Sequence, residues 1–300
     1  MWPATIVLDF DPFLGVGDRA VRWETLALAA ALFLGLALAA RLAGRADEPG
    51  EERLRRDDLL YIALGAVPGA VVGGRLLHGL DFLAYYQATP ERLVDPSLGS
   101  LSLLGGVIGG TVTAAYVAAL LAAPVRRWLD VAIVPLLLVI GLGKLANLLG
   151  GTGQGAPTDA TWALAFAGEW SWRSPLADVP AHPSQVYEAI WTLAGIVLLA
   201  ALRFGPVLRA LPGRWRRPAY TGDHSGGGLE AALGPGRLRG GYLFLFGLAW
   251  WSAGRVVVGF TWRDDLVVGG LRMEQLAALA VLACVALVLL IAPGREGKRG

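Results

Sequence analysis

Seven long runs of apolar residues follow one another along the sequence, separated by segments that carry most of its charge. The hydrocarbon core of a membrane is about 30 Å thick and needs about 20 apolar residues in a helix. Each run has roughly that length, so the pattern predicts a single integral membrane domain over residues 1–300. Its seven predicted spans lie near 23–42, 59–80, 101–123, 131–150, 186–204, 240–260 and 273–292.

The composition supports an all-α polytopic membrane protein. Hydrophobic residues make up 55% of the chain. Charged residues make up 17%, against about 25% in soluble proteins. A soluble domain of this size would expose too much apolar surface. The single cysteine, Cys284, excludes a disulfide framework or a cysteine metal cluster. With no metal-binding motif in the sequence, we predict no metal, no cofactor and no nucleic-acid partner.

Lysine and arginine are distributed unevenly between the segments that join the spans. With the N-terminus outside, the cytoplasmic segments hold 17 of these residues and the external segments hold six. Cytoplasmic loops of membrane proteins carry such an excess. The sequence therefore predicts an outside N-terminus and an inside C-terminus.

Two of the joining segments are long. The outer segment 151–185 holds three tryptophans, a residue typical of the headgroup region: Trp162, Trp170 and Trp172. Within this outer segment, the stretch 161–166 is consistent with a short strand, which predicts a small external cap between spans four and five. The inner segment 205–239 is rich in proline, glycine and arginine, which predicts a flexible cytoplasmic loop.

Three cations lie within the predicted spans: Arg75, Lys144 and Arg255. A charge at membrane depth is costly, and snorkelling to an interface would explain Arg75 and Lys144, which lie near span ends. Arg255 lies inside its run. The acidic residues close to the spans all lie at span ends: Glu24, Asp58, Glu188 and Glu274. We therefore expect the three cations to have no carboxylate partner at membrane depth. An anionic phospholipid would supply the negative charge, and we predict that the three cations converge on one cavity open toward the outer leaflet.

A polar motif, HPSQVYE at 182–188, leads into the fifth span. One interpretation is a helix start, with Pro183 in the first turn, Ser184 as the N-cap oxygen and Glu188 near the positive helix end. The other is a polar cluster at the mouth of the cationic cavity. His182 could titrate near neutral pH there, although a histidine before such a helix start is more often structural.

Several motifs occur in the order found in one family of bacterial membrane proteins. The most specific is HPSQVYEA at 182–189. The others are Trp23 at the start of the first span and the segments 58–76, 101–110, 143–151, 157–159, 162–163, 254–255 and 273–275. In these motifs and their order the sequence resembles the prolipoprotein diacylglyceryl transferases of bacterial inner membranes.

The resemblance implies an enzyme of the bacterial cytoplasmic (inner) membrane that works as a monomer. Such an enzyme moves the diacylglyceryl group of phosphatidylglycerol to a lipobox cysteine thiol of a prolipoprotein signal peptide and releases glycerol phosphate. By position, Arg255 and Lys144 would be the electrostatic catalytic residues, with Lys144 standing where the family has an arginine. The substrate-binding residues would be Arg75, Asn147, Ser184 and His182.

Five positions differ from the family pattern. Leu104 stands in place of a histidine, Glu24 and Trp251 in place of tyrosines, and Thr152 and Gly259 in place of glutamates. These changes fall on proton-handling residues, so the sequence assigns no general base. The second hypothesis is therefore a catalytically altered relative that binds an anionic phospholipid or acts on another lipid. A transporter is disfavoured because no internal repeat is evident.

Overall fold

The computed structural model describes residues 5–44, 54–95, 101–204, 216–217, 237–238 and 240–291. Seven of its helices are long and apolar enough to cross a membrane, which confirms the predicted number of spans. They are α1 (Trp23–Ala43), α2 (Arg56–Asp81), α4 (Leu103–Leu120), α5 (Val125–Ala146), α6 (Ser184–Phe204), α7 (Tyr242–Gly259) and α8 (Met273–Ile291). A short helix, α3 (Leu83–Ala88), follows α2, and 3-10 turns occupy Pro90–Leu93 and Asn147–Leu149.

The fourth span begins at Val125, six residues before the predicted start at 131. This additional turn and a half carries Asp130, whose carboxylate accepts hydrogen bonds from the backbone N–H groups of Gly241 (2.7 Å) and Phe244 (2.9 Å). Those groups belong to the first turn of α7, where backbone N–H groups have no partner within the helix. Asp130 therefore joins the start of α5 to the start of α7.

Helices α2 and α4 pack closely along a line of glycines. A Cβ atom added at Gly109 would overlap the backbone carbonyl of Gly69, and one added at Gly105 would overlap that of Gly73. Small residues in membrane helices allow such close approach of two backbones. The glycines of the second and third spans therefore fix the distance between these helices.

Two apolar clusters form the interior of the bundle. The larger one joins α4, α5, α6, α7 and α8 through Leu104, Ile133, Leu137, Leu199, Leu243, Phe244, Trp251 and Ala278, among others. The smaller one lies where α1 and α4 end and where α2 and α5 begin, and it contains Ala43, Leu54, Ile62, Ala118, Trp128 and Val131. The polar site described below lies at the opposite end of the bundle.

A small cap covers the end of the bundle at which α1, α4, α6 and α8 begin, hereafter the cap end. Strand β4 (Leu164–Phe166) lies within the predicted stretch 161–166 and pairs in parallel with β1 (Ile6–Leu8). Strands β2 (Phe13–Val16) and β3 (Arg19–Arg22) form an antiparallel pair just before α1. The cap is therefore built from the N-terminal segment as well as from the loop between spans four and five, and the fold is mostly helical rather than purely α.

The predicted flexible loop 205–239 lies outside the described residues, apart from one short strand pair. In that pair β5 (Arg216–Arg217) runs antiparallel to β6 (Arg237–Leu238). The flexibility of the loop stays a prediction.

Candidate functional site

The alternating directions of the spans bring several charged residues to the cap end. Lys144 is in the last turn of α5 and Arg255 in the last turns of α7. Glu188 follows the first turn of α6, and Glu274 is in the first turn of α8. Because neighbouring helices run in opposite directions, the end of one span and the start of the next reach the same depth.

The side chains of these four residues form a row of alternating charge. Lys144 Nζ lies 3.0 Å from Glu188 Oε2, and Arg255 Nη1 lies 2.5 Å from the same oxygen. Arg255 Nη2 forms a second ion pair with Glu274 Oε2. At the far end of the row, Ser102 Oγ donates a hydrogen bond of 2.6 Å to Glu274 Oε1. Two cations and two carboxylates thus alternate across α5, α6, α7 and α8, a balance expected where charge is buried.

Three tryptophans hold the centre of this row in place. Trp262 Nε1 donates to Glu188 Oε1 at 3.1 Å, and the Arg255 guanidinium lies 4.3 Å from the centre of the Trp262 ring. Trp191 on α6 and Trp250 on α7 stack at 4.7 Å, and each indole N–H donates to the other's backbone carbonyl at 2.8 Å. These contacts lock α6 against α7 beside the Glu188–Arg255 pair.

The expectation that the cations within the spans lack carboxylate partners is wrong for Lys144 and Arg255. Arg255 contacts both Glu188 and Glu274, and Lys144 contacts Glu188. The acidic residues do lie at span ends, but Lys144 and Arg255 lie at the same end of the bundle. Arg75 Nη2 donates to the backbone carbonyl of Asp95, in the segment after the 3-10 turn. The structure joins Lys144 to Arg255, while the convergence of Arg75 on their site stays a prediction.

Asn147 borders Gly153, as Gln185 also does. It ends α5, and its carbonyl accepts hydrogen bonds from Gly150 and Thr152. A Cβ atom at Gly153 (φ 77°) would lie 3.6 Å from Asn147 Nδ2 and 3.7 Å from Gln185 Cβ. Gln185 is fully buried, and neither of its amide atoms has a hydrogen-bond partner among the described residues. This pair adds donor and acceptor capacity one helical turn from Lys144 and Glu188.

Ser184 and His182 connect the cap to the bundle. The interpretation of Ser184 as the N-cap of α6 is wrong: the helix begins at Ser184, Pro183 precedes it, and Ser184 Oγ lies 2.7 Å from Thr261 Oγ1 after α7. The backbone of His182 exchanges hydrogen bonds with Gly155 and Ala156 of the cap. The His182 Nδ1 atom is buried and unpartnered among the described residues. Both residues border the site, and no contact of either with Lys144 or Arg255 is among the contacts described.

The loop after α5 is held over the site by Gln154 and Arg263. Gln154 Nε2 donates to the carbonyl oxygens of Leu164 and Val179 at 3.0 Å each, and Gln154 Oε1 accepts from Ser174 at 2.6 Å. Arg263 Nε donates to the carbonyl oxygen of Gly155 at 2.5 Å. Partial burial lowers the pKa of the Arg263 guanidinium. These bonds make the cap a fixed cover of the site.

At three of the five positions that differ from the family pattern, the residue is packed tightly against neighbouring helices. Leu104 and Trp251 belong to the larger apolar cluster and are almost fully buried. Gly259 faces Gln275 of α8, whose amide donates to the carbonyl oxygen of Val256 at 2.8 Å. The other two are polar: Glu24 is buried and lies 3.5 Å from Arg173, and Thr152 Oγ1 is unpartnered among the described residues.

Introducing the family's glutamate by Gly259→Glu is expected to destabilise the protein instead of restoring a function. A Cβ atom at Gly259 would lie 2.6 Å from Gln275 Cγ, and Gln275 is fully buried and hydrogen-bonded. Overpacking of this kind costs about 1–3 kcal/mol, and a buried carboxylate adds to that. Thermal unfolding in detergent should show a lower midpoint than wild type.

The matched control for this variant is Gly15→Glu, because no atom lies within 4 Å of a Cβ added at Gly15. Its unfolding midpoint should equal that of wild type. Equal midpoints for Gly259→Glu and wild type would contradict the observed packing between α7 and α8.

Comparison with known proteins points to one family. The profile of the family "Prolipoprotein diacylglyceryl transferase" matches residues 13–213. Similar proteins include the phosphatidylglycerol–prolipoprotein diacylglyceryl transferases of Trichormus variabilis (30% identical, 88% of this chain and 83% of the relative) and Nostoc sp. strain PCC 7120 (28%, 89% and 84%). The enzyme of that name from Bacillus cereus strain B4264 is 25% identical over 94% of this chain and 92% of its own.

The match covers spans one to five and the motifs that supply Lys144, Asn147 and Glu188. The relatives extend the similarity over most of the chain. The chain therefore belongs to the prolipoprotein diacylglyceryl transferase family.

Proposed function

We propose that the chain moves the diacylglyceryl group of phosphatidylglycerol to the cysteine thiol of a prolipoprotein signal peptide, as a monomer in the bacterial inner membrane. The proposal is carried by one observation: a family member holds Lys144 and Arg255 together at the cap end through Glu188. The names of the relatives support the same substrates. A pair of largely buried cations is suited to the phosphate of an anionic lipid.

The chemistry places the two cations at the leaving group. The thiolate attacks the glyceryl carbon, a C–S bond forms, and the C–O bond to phosphate breaks with its electrons on oxygen. Glycerol phosphate then leaves with an additional negative charge. Preorganised cations at the place where charge develops lower the barrier to such a step. Glu188 contacts both Lys144 and Arg255 and would hold them in position through the reaction.

The test is transfer in a defined system. Purified protein is mixed with phosphatidylglycerol vesicles and a lipobox peptide, and the lipidated peptide and released glycerol phosphate are measured. A peptide with serine in place of the cysteine is the control. Complementation of a strain depleted of its own transferase tests the same activity in cells. Absence of both transfer and complementation would contradict the proposal.

A second candidate is a relative that binds an anionic phospholipid without transferring it. The observation in its favour is the apolar packing of Leu104 and Trp251 at positions where the family pattern has polar residues. Under this function the protein would bind phosphatidylglycerol vesicles in preference to phosphatidylcholine vesicles, and neither lipidated peptide nor glycerol phosphate would form.

The proposed orientation has the cap outside and the loop 205–239 in the cytoplasm. We expect a cysteine at Ser225→Cys, in that loop, to resist an impermeant thiol reagent added to intact cells. The background carries Cys284→Ala, because Cys284 is exposed. The control is Ser171→Cys, an exposed position in the cap, which should label fully. The reverse labelling pattern would invert the topology.

A further inference from the structure

The proposed transfer needs a group that accepts the thiol proton, and two carboxylates lie against Arg255. Glu188 accepts contacts from Lys144, Arg255 and Trp262, so it is held by two cations and an indole N–H. Its side chain is 7% exposed. A carboxylate stabilised by that many donors is a poor proton acceptor. Glu188 is therefore suited to positioning the cations.

Glu274 has a different environment. Among the residues that the structure describes, it contacts one cation, Arg255, and one hydroxyl group, that of Ser102. Its side chain is 16% exposed, about twice as much as that of Glu188. It lies in the first turn of α8, at the cap end. Of the two carboxylates, Glu274 is the one that an arriving group can reach.

We infer that Glu274 is the general base of the transfer, released for this role when the lipid phosphate replaces it on Arg255. This inference rests on the proposed function. A carboxylate and a phosphate present similar oxygens to a guanidinium, so Glu274 occupies the position of a phosphate oxygen on Arg255 Nη2. The phosphate displaces Glu274 in preference to Glu188, because displacing Glu188 would also break the ion pair between Glu188 and Lys144.

Displacement turns Glu274 from an ion-pair partner into a proton acceptor. Without Arg255 as its ion-pair partner, the carboxylate has an oxygen available to accept a hydrogen bond from the thiol and then the thiol proton. The hydroxyl of Ser102, the N-cap residue of α4, still donates to it and fixes its direction. The base thus becomes effective after the lipid has bound, which sets the order of substrates as lipid first and peptide second.

The step balances as follows. The thiol proton moves to a Glu274 oxygen, and the thiolate forms a C–S bond at the glyceryl carbon. The C–O bond breaks and its electron pair stays on the phosphate oxygen, beside Arg255. Glu274 then passes its proton to the leaving phosphate or to water. As glycerol phosphate departs, the carboxylate returns to Arg255 and closes the site.

The first test is Glu274→Gln, which keeps the shape of the side chain and removes its charge. We expect kcat for transfer to fall by about 10²- to 10⁴-fold, the usual contribution of a general base. Binding of phosphatidylglycerol vesicles should be retained or become tighter, because the competing carboxylate is gone. The control Glu91→Gln removes an exposed carboxylate after α3 and should leave kcat unchanged.

The second test is the pH profile of kcat in Ser102→Gly, because glycine is well tolerated at a helix N-cap. The Ser102 hydroxyl is hydrogen-bonded to Glu274 Oε1, so its removal should displace the acid limb of the profile where Glu274 is the base. Other charged groups face this site: Lys144 on α5, Glu188 on α6, Asp81 on α2 and Asp264 after α7. None of them is hydrogen-bonded to Ser102 among the bonds described, so their limbs should not move.

The outcomes separate this inference from the proposed function. If wild type transfers and Glu274→Gln transfers within a few-fold of it, Glu274 is not the base. The inference also fails if only lipid binding weakens in Glu274→Gln, or if Ser102→Gly leaves the acid limb in place. The Ser102→Gly result decides the question even where Glu274→Gln does not fold. If wild type itself transfers nothing, the proposed function fails and the inference falls with it.

Discussion

Replacing Gly109 with alanine is expected to separate α4 from α2 and to prevent normal folding, although alanine is the better helix former. The added Cβ atom would overlap the carbonyl oxygen of Gly69 and lie 3.1 Å from the Cα atom of Gly73. These are backbone atoms, so no change of rotamer relieves the overlap. The cost should exceed the 1–3 kcal/mol of ordinary overpacking, which is a large part of a typical stability of about 5–15 kcal/mol.

Gly106→Ala is the matched control on the same helix. A Cβ atom at Gly106 would lie 3.5 Å from the carbonyl oxygen of Ala70, an ordinary contact. Because alanine is favoured over glycine in a helix by up to about 1 kcal/mol, this variant should be as stable as wild type or more so. Both variants are compared with wild type by their yield of monodisperse protein and by their thermal unfolding midpoint in detergent. Similar behaviour of the two variants would show that α2 and α4 are not in contact through Gly109.

The seven spans could be predicted from the sequence because each is an unbroken apolar run of sufficient length. The end of a span is less predictable where polar residues belong to the helix. Arg126, Arg127 and Asp130 interrupt the hydropathy before position 131, yet the helix includes them. The reason is a tertiary contact: Asp130 accepts hydrogen bonds from the backbone N–H groups of Gly241 and Phe244. These partners are 111 and 114 residues away, so nothing in the local sequence indicates them.

Only part of the cap could be predicted, again because a strand and its partner are far apart in the sequence. The stretch 161–166 shows a strand tendency, and the strand is present at Leu164–Phe166. Its partner is Ile6–Leu8, near the start of the chain. Parallel pairing between segments this far apart depends on how α1 and α5 pack, so residue patterns on either strand could not identify the other.

At the site the sequence identified the cations but not the residues that neutralise them. Lys144 and Arg255 are conspicuous because they interrupt apolar runs, whereas Glu188 and Glu274 lie at span ends, where acidic residues are common. The alternation of spans was itself a usable signal. It places the end of span four beside the start of span five, and so Lys144 beside Glu188. The direction of Gln185 into the interior depends on packing and could not be predicted.

Arg255→Ala is expected to have a large effect on both activity and stability. Loss of a charge-assisted contact with the lipid phosphate, worth roughly 1.5–3 kcal/mol, should reduce lipid binding and transfer about ten- to a hundredfold. The fold should be affected as well, because Arg255 separates two carboxylates, the buried Glu188 and the partly exposed Glu274. Removing one partner of a buried ion pair costs about 3–5 kcal/mol.

Two further variants separate the two effects. The first is the double variant Arg255→Ala with Glu274→Gln, in which the repulsion between the carboxylates is removed. Its thermal stability should recover in part, while its lipid binding stays weak. The difference between the stability change of the double variant and the sum of the changes in the two single variants measures the coupling between Arg255 and Glu274.

Arg255→Lys keeps the charge but cannot reproduce the fork that contacts Glu188 and Glu274 at once. It should therefore fold better than Arg255→Ala and recover only part of the lipid affinity. Lipid binding is measured with phosphatidylglycerol vesicles at several salt concentrations, with phosphatidylcholine vesicles as the reference. If Arg255→Ala unfolds at the wild-type temperature, the ion pairs carry no net stability. If it also binds phosphatidylglycerol as wild type does, Arg255 does not hold the phosphate, and Lys144 becomes the remaining buried cation in this row that could.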